Sequence, residues 1–234
     1  MNRLKSKNVI VTGSGNGIGA SIAKLFSNEG ANVVVADIED INGKKIVEEI
    51  TLNGNKAIYQ NVDTSNSESV RNLIESAVEE IGEIDILINN AAAFVFGTVE
   101  TITNDDWAKV FGVNVIGYAN CVREVLPSFR NKNKGVIVNI ASISAFIAQP
   151  EFIPYNSSKG AVLQLTRCLA MDLAKDIASN SPLVIKGVKM MLDKGEELTA
   201  DQSLDLVRMW STSFLTSEDL KEGVFAMMEK RDPK

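Results

Sequence analysis

Tyr155 and Lys159 stand four residues apart in "PYNSSK". On a helix that spacing puts both side chains on one face, where their heads can converge. A phenol with an ordinary pKa of about 10 is a poor base at neutral pH, but an ammonium within a few ångströms favours the phenolate and lowers that value. The pair can therefore give and take a proton. Among 234 residues there is no histidine, which removes Ser-His-Asp and Cys-His nucleophilic machinery and any His-ligated zinc or iron. No metal site is expected, and acid-base chemistry must run on carboxylates, lysine or tyrosine. The paired acids are weaker candidates: Asp105 with Asp106 reads as a helix first turn, and Glu79 with Glu80 as a solvated helix face.

A second chemical feature lies near the start, in "VIVTGSGNGIGASIAKLF", residues 9–26. Glycines at 13, 15, 17 and 19 follow an apolar run and open a helical one, so the backbone turns tightly and leaves room for a ligand. Free N–H groups and the positive end of the helix dipole then face a bound anion, and a dinucleotide pyrophosphate fits that place. The general G-x-G-x-x-G template is met only with Ala20 for its last glycine. Asp37 stands 18 residues after Gly19, where an acid accepts hydrogen bonds from the adenosine ribose and repels a 2′-phosphate. Its neighbours Asn16 and Ile38 carry no compensating cation. The expected cofactor is NAD, in preference to NADP.

Five short, β-branched runs position these residues: 7–12, 31–37, 56–63, 84–91 and 135–142. Each reads as a strand buried on both faces. Between them lie stretches of helical spacing, such as Ile18, Ile22, Leu25 and Phe26, then Val70, Leu73, Ile74, Ala77 and Ile81. The alternation implies an α/β fold with a doubly wound parallel sheet of five strands, Rossmann-like in layout.

Composition narrows the partners. A chain with 45% hydrophobic residues can bury a sizeable core, and a formal charge of −6 with no Lys/Arg run beyond two lacks the footprint for nucleic acid. No stretch approaches the ~18 apolar residues of a membrane span and no signal peptide is evident, so a cytoplasmic location is expected. Cys121 and Cys168 lie in amphipathic stretches and read as buried thiols.

At this point the residues resemble the short-chain dehydrogenase/reductase family. "TGSGNGIG" is similar to its TGxxxGxG cofactor loop, "NNAA" at 89–92 to its NNAG motif with Ala92 for the glycine, and "NVD" at 61–63 to its acidic strand end. The resemblance implies that Gly13, Ser14, Asn16, Gly17, Ile18 and Gly19 hold the pyrophosphate, and that Asp37 and Ile38 lie at the adenosine ribose. By the same resemblance Val62 and Asp63 flank the adenine, and Asn90, Ala91 and Ala92 line the ribose region. Ser142 precedes Tyr155 by 13 residues, the spacing of the family's Ser-Tyr-Lys signature, and Asn114 in "FGVNVIG" matches the Asn of its tetrad. The implied activity is hydride transfer between a secondary alcohol or ketone and NAD(H). Tyr155 would be general acid and base, Ser142 would hold the substrate oxygen, and Asn114 would hold a water in the proton path. Lys159 would tune Tyr155 and bind the nicotinamide ribose.

After about residue 176 the family's Pro-Gly turn is missing. "SPLVIKGVKMMLDKG" instead carries a helical stripe at Val184, Ile185, Val188, Met191 and Leu192, and N-terminal boxes at Thr199/Gln202 and Thr216/Asp219 suggest two more helices. This stretch resembles the C-terminal helical region of the enoyl-CoA hydratase/isomerase (crotonase) family, whose catalytic groups have no counterpart here. The expected division is a nucleotide-binding core at 1–176 and an all-helical appendage at 177–234, joined within 172–179 as in a chimera. Such a tail implies homo-oligomer contacts, and leaves an impaired cofactor-binding or assembly module as the alternative to a turning-over oxidoreductase, with a hydratase or isomerase behind both.

Overall fold

The computed structural model describes residues 2–178, with side chains through residue 173. It divides into two compact units, Met1–Thr166 and Arg167–Lys234, and of the second only the helical residues 167–178 are described. In chain order the elements are β1 (Asn8–Thr12), α1 (Gly17–Asn28), β2 (Asn32–Asp37), α2 (Asp40–Leu52), β3 (Lys56–Asn61), α3 (Ser67–Ile81) and β4 (Ile86–Asn89). There follow α4 (Asn104–Phe111), a π-helical turn (Gly112–Ile116), α5 (Gly117–Asn131), β5 (Val136–Asn139), a 3₁₀ turn (Ile143–Ala145) and α6 (Ile153–Ala178). All five strands pair in parallel in the order β3-β2-β1-β4-β5. Register runs through Val9, opposite both Val33 and Ile86, and through Leu87, opposite Ile137.

The apolar runs explain the centre of this sheet. Val9, Val11, Val33, Val35 and Ile88 point to one face and pack with Ala20, Ala23, Ile46 and Ile50 of α1 and α2. Strand alternation sends Ile10, Val34 and Leu87 to the other face, where α3 and α5 pack on each other and on β2 and β4. Helices thus cover both faces.

Two expectations need correction here. Only β1 and β4 are buried throughout, and β2 from Val33 onward; β3 is half-exposed, and β5 turns Val136 and Val138 outward. Among the described residues β5 pairs with β4 alone. In α1 only half of the large apolar stripe packs: Ile22 and Phe26 lie against the core while Ile18 and Leu25 are exposed, and the fully buried face is made by Gly19, Ala20, Ala23 and Ser27. Cys121 is in the core, where burial pushes its thiol up to about 12, but Cys168 is exposed.

The acidic pairs behave as read. Asp105 and Asp106 fall in the first turn of α4, where Thr103 and Asp106 form a capping box, and Glu79 and Glu80 are exposed on α3. No described helix is long and apolar enough to cross a membrane. The short strand-like fragment at 183–185, the stripe from Val184 to Leu192 and the two boxed tail helices lie outside the described residues.

Candidate active site

The order of strands reverses beside β1: β2 and β3 lie to one side, β4 and β5 to the other, so a crevice opens at the carboxyl ends of β1 and β4. The glycine loop fills the first rim. Gly13 has φ +63°, and a Cβ there would lie 2.7 Å from Ala91 Cα; a Cβ on Gly19 would lie 2.2 Å from Gly13 O. Loop, helix and β4 therefore touch backbone to backbone.

Asn90 and Thr12 lock that contact. The Asn90 amide donates to Thr12 O at 3.0 Å and to Gly13 O at 2.9 Å, and Thr12 Oγ1 accepts from the Asn90 and Ala91 N–H groups at 3.0 and 3.2 Å. Ser14 is fully buried; its hydroxyl donates to Val11 O and accepts from Ala36 N, so it ties β1 to β2. Asn16, Gly17 and Ile18 are exposed, and Asn16 precedes α1 without a side-chain cap, leaving the helix N-terminus open to an anion.

Asp37 ends β2, 8% exposed, with Oδ2 accepting from Gly15 N at 2.7 Å and Oδ1 from Glu39 N at 2.9 Å. Its backbone carbonyl accepts from Tyr59 Oη and from Val62 N. Val62 is buried, Ile38 and Ala92 are exposed, and the Asp63 carboxylate is turned inward on Ser65. A buried carboxylate held beside an open glycine loop fits a dinucleotide carrying free ribose hydroxyls.

The second half of the site gathers on α6. Lys159 is 1% exposed, and its Nζ donates to Ile140 O at 2.7 Å and to Tyr118 Oη at 3.4 Å. It lies 5.3 Å from the Tyr118 ring centre and 5.7 Å from that of Tyr155, so the two expected residues do converge. Burial pulls the Lys159 amine down to about 8, and pushes the Tyr118 hydroxyl up.

Asn114 is fully buried in the π-helical turn. Its Oδ1 accepts from Ala93 N at 2.7 Å, and its Nδ2 donates to Ala93 O at 3.1 Å and Ser158 Oγ at 2.9 Å. Ser158 in turn donates to Tyr155 O. Both amide hydrogens are thus taken up in joining the loop after β4 to α6, so the Asn114 side chain is a tie between elements. Ser142 is displaced from expectation: β5 ends at Asn139, and Ser142 instead caps the 3₁₀ turn, its hydroxyl accepting from Ser144 N at 3.1 Å. No hydrogen bond joins it to Tyr155 among the described residues.

Two residues of this site escape sequence reasoning. Tyr118 donates to Ile140 O at 3.2 Å and is 1% exposed. Phe94 stacks on Tyr155 with ring centres 4.2 Å apart. Tyr118 follows Asn114 by four residues on one helical face, and a buried tyrosine needs a partner for its hydroxyl, which is the signal that could have found it. Phe94 meets Tyr155 across 61 residues of sequence and carries no local signal.

The model of the short chain dehydrogenase family matches residues 7–194. The chain belongs to that family. This short-chain dehydrogenase is 37% identical over 189 residues to the meso-2,3-butanediol dehydrogenase of Serratia marcescens, covering 79% of this chain and 73% of that one. Among solved structures, a short chain dehydrogenase/reductase from Burkholderia phymatum in complex with NAD superposes with a TM-score of 0.72 at 34% identity, over 75% of this chain and 63% of that one. A gluconate 5-dehydrogenase from Burkholderia cenocepacia, in complex with NADP and tartrate, gives 0.71 at 30% identity, over 74% and 68%. This short-chain dehydrogenase thus spans about two thirds of those solved chains. The family match runs past the join placed at 172–179, and the comparisons lend no support to a crotonase-like tail or a chimeric chain.

Proposed function

We propose that this chain is an NAD-dependent oxidoreductase that interconverts a secondary alcohol and its ketone, with Tyr155 as general acid and base. The observation that carries the reading is the buried Lys159 ammonium set between the Tyr118 and Tyr155 rings, in a protein without histidine. Bound NAD would supply the hydride acceptor, and its reduced form the donor.

The chain's own groups do the rest. Gly13, Gly17 and Gly19 leave the loop open to the pyrophosphate, and Asp37 accepts from the ribose hydroxyls while opposing a 2′-phosphate. Asn90 and Thr12 fix the loop that these groups occupy. During oxidation Tyr155 Oη takes the alcohol proton, and during reduction it returns one to the developing alkoxide. Lys159 favours the phenolate while it is protonated, and its amine near 8 keeps that charge at neutral pH. Ser142 Oγ accepts from Ser144 N and keeps its own hydrogen, which donates to the substrate oxygen.

NADH absorbance, followed with NAD and a panel of secondary alcohols, tests the reading. Tyr155→Phe keeps the ring and removes the proton carrier, so turnover should fall by ~10² to 10⁴ while NAD still binds. Near-normal turnover in that variant would overturn the assignment.

A further inference from the structure

Around Tyr155 lies a set of rings that acid-base chemistry does not call for. Phe94 lies along the Tyr155 ring at 4.2 Å between centres and 21° between planes. Phe152 meets Tyr155 at 6.3 Å and 69°, and Phe96 sets its edge on Phe152 at 4.9 Å and 87°. Phe94 and Phe96 are near-parallel at 6.5 Å and 19°. These rings are not core: Phe94 is 49% exposed and Phe96 64%.

The backbone is built to bring them together. Gly97 N donates to Glu151 O at 2.8 Å, and Gly97 pairs with Phe152 in an isolated parallel bridge. Glu151 takes φ +61°, a left-handed conformation that a residue with a Cβ adopts at a cost. The loop after β4 and the start of α6 are thus fastened so that Phe94 and Phe152 lie against the Tyr155 ring, with Phe96 packed on both. The turn that Ser142 caps continues the character, with Ile143 and Phe146 both exposed.

We propose that the substrate of this site carries a flat aryl ring on its carbinol carbon, and that Phe94, Phe96 and Phe152 receive it. The proposal rests on the reading of Tyr155 as acid and base. With the carbinol oxygen at Tyr155 Oη, the groups on the carbinol carbon fall against these rings. Offset-parallel and edge-on packing, already present among the four, is the packing that a further planar group adopts. Exposed apolar surface beside a polar centre is the composition of a small-molecule site. A polyol or a hydroxy acid finds no such welcome. Ring faces carry negative potential that opposes a carboxylate, and sugar hydroxyls would be dehydrated there without partners. The nearby cation, Lys159, is buried and already donates to Ile140 O, so it does not offer a carboxylate a seat.

The full chain with NAD should oxidise 1-phenylethanol with kcat/KM at least about tenfold above 2,3-butanediol and gluconate. Phe94→Ala should cut the ratio of 1-phenylethanol to butanediol by about tenfold, with Phe94→Leu between. Equal or better use of butanediol or gluconate, or a ratio indifferent to Phe94, overturns the proposal. A second measurement needs no turnover: saturation-transfer NMR of acetophenone with the NAD-saturated protein should give ring signals that Phe94→Ala weakens. Acetophenone binding that depends on Phe94, without oxidation of any alcohol, upholds the ring site and removes the redox reading. Oxidation of butanediol or gluconate that depends on Tyr155, without acetophenone binding, does the reverse. Neither oxidation nor binding overturns both.

Discussion

Lys159 is the residue where stability and chemistry oppose each other. Its ammonium is buried with a carbonyl, a phenol and two ring faces for company, and no carboxylate among the described contacts. Desolvation is therefore only partly offset, and the amine falls from 10.5 to about 8. Between those values the unfolded chain holds more protons than the folded one, so the cost of the buried charge is full below about 8 and stability rises with pH through that window. Lys159→Met should raise stability at pH 7 by about 1–3 kcal/mol, flatten the rise between pH 8 and 10, and abolish turnover. Thermal unfolding across that range checks it; a Met variant less stable at pH 7 would refute the idea that the charge is held at a cost. Asp37 offers a second test at this scale. Asp37→Ala should narrow the preference for NADH over NADPH by ~1–3 kcal/mol as a charge-assisted hydrogen bond to the ribose is lost, and calorimetric titration showing no preference in the parent chain would sink the assignment.

Among the elements, α1 carries the most exacting requirement. Its N-terminal turn lies so close to the glycine loop that a methyl on Gly19 would meet the Gly13 carbonyl at 2.2 Å, and that oxygen already accepts from Asn90. Backbone cannot step aside there without releasing β4. Gly19→Ala should cost about 1–3 kcal/mol in urea unfolding and weaken NAD binding more than tenfold, whereas unchanged binding would mean the loop is not the pyrophosphate site. The same closeness explains what was legible in the sequence. Five strands and their order of appearance followed from β-branched runs, because burial in a parallel sheet demands them. The packed face of α1 followed only in part: Ile22 and Phe26 of the apolar stripe reach the core, but Gly19, Ala20 and Ala23, which allow the close approach, are outweighed by larger residues in a periodic reading. Tyr155 and Lys159 were legible because one helix holds both. Ser142 was found by spacing but misplaced on β5, since a strand end three residues earlier leaves no mark in an apolar run that continues to Ala141. The joining role of Asn114, and Phe94 over Tyr155, depend on contacts between distant segments.

At the scale of the Met1–Thr166 unit, parallel strands separate two kinds of site. The residues assigned to cofactor and chemistry follow the carboxyl ends of the strands; the amino ends of β1 and β4 hold a charged knot around Asp85. This carboxylate, 5% exposed just before β4, accepts from Asn8 N at 3.0 Å and from Lys132 Nζ at 2.8 Å, with Lys7 Nζ at 3.4 Å. It ties the starts of β1 and β4 to the end of α5. Desolvation pushes its pKa up, but the Lys132 hydrogen bond, the Asn8 N–H and the two ammonium charges more than offset that, and the carboxyl ends below its ordinary 3.8. A lowered folded value means the stabilisation is complete above the usual carboxylate range and is lost as pH falls through the folded pKa. Asp85→Asn should therefore lower stability by about 1–3 kcal/mol at pH 7, and the gap between variant and parent should close in acid as the parent carboxyl takes its proton. Urea midpoints from pH 7 to pH 2 measure this. A gap that persists at pH 2 would show that shape, not charge, holds the knot. Because the knot lies at the amino ends of the strands, away from the carboxyl-end crevice, the variant's affinity for NAD should stay within about twofold of the parent, as expected for sites without shared partners.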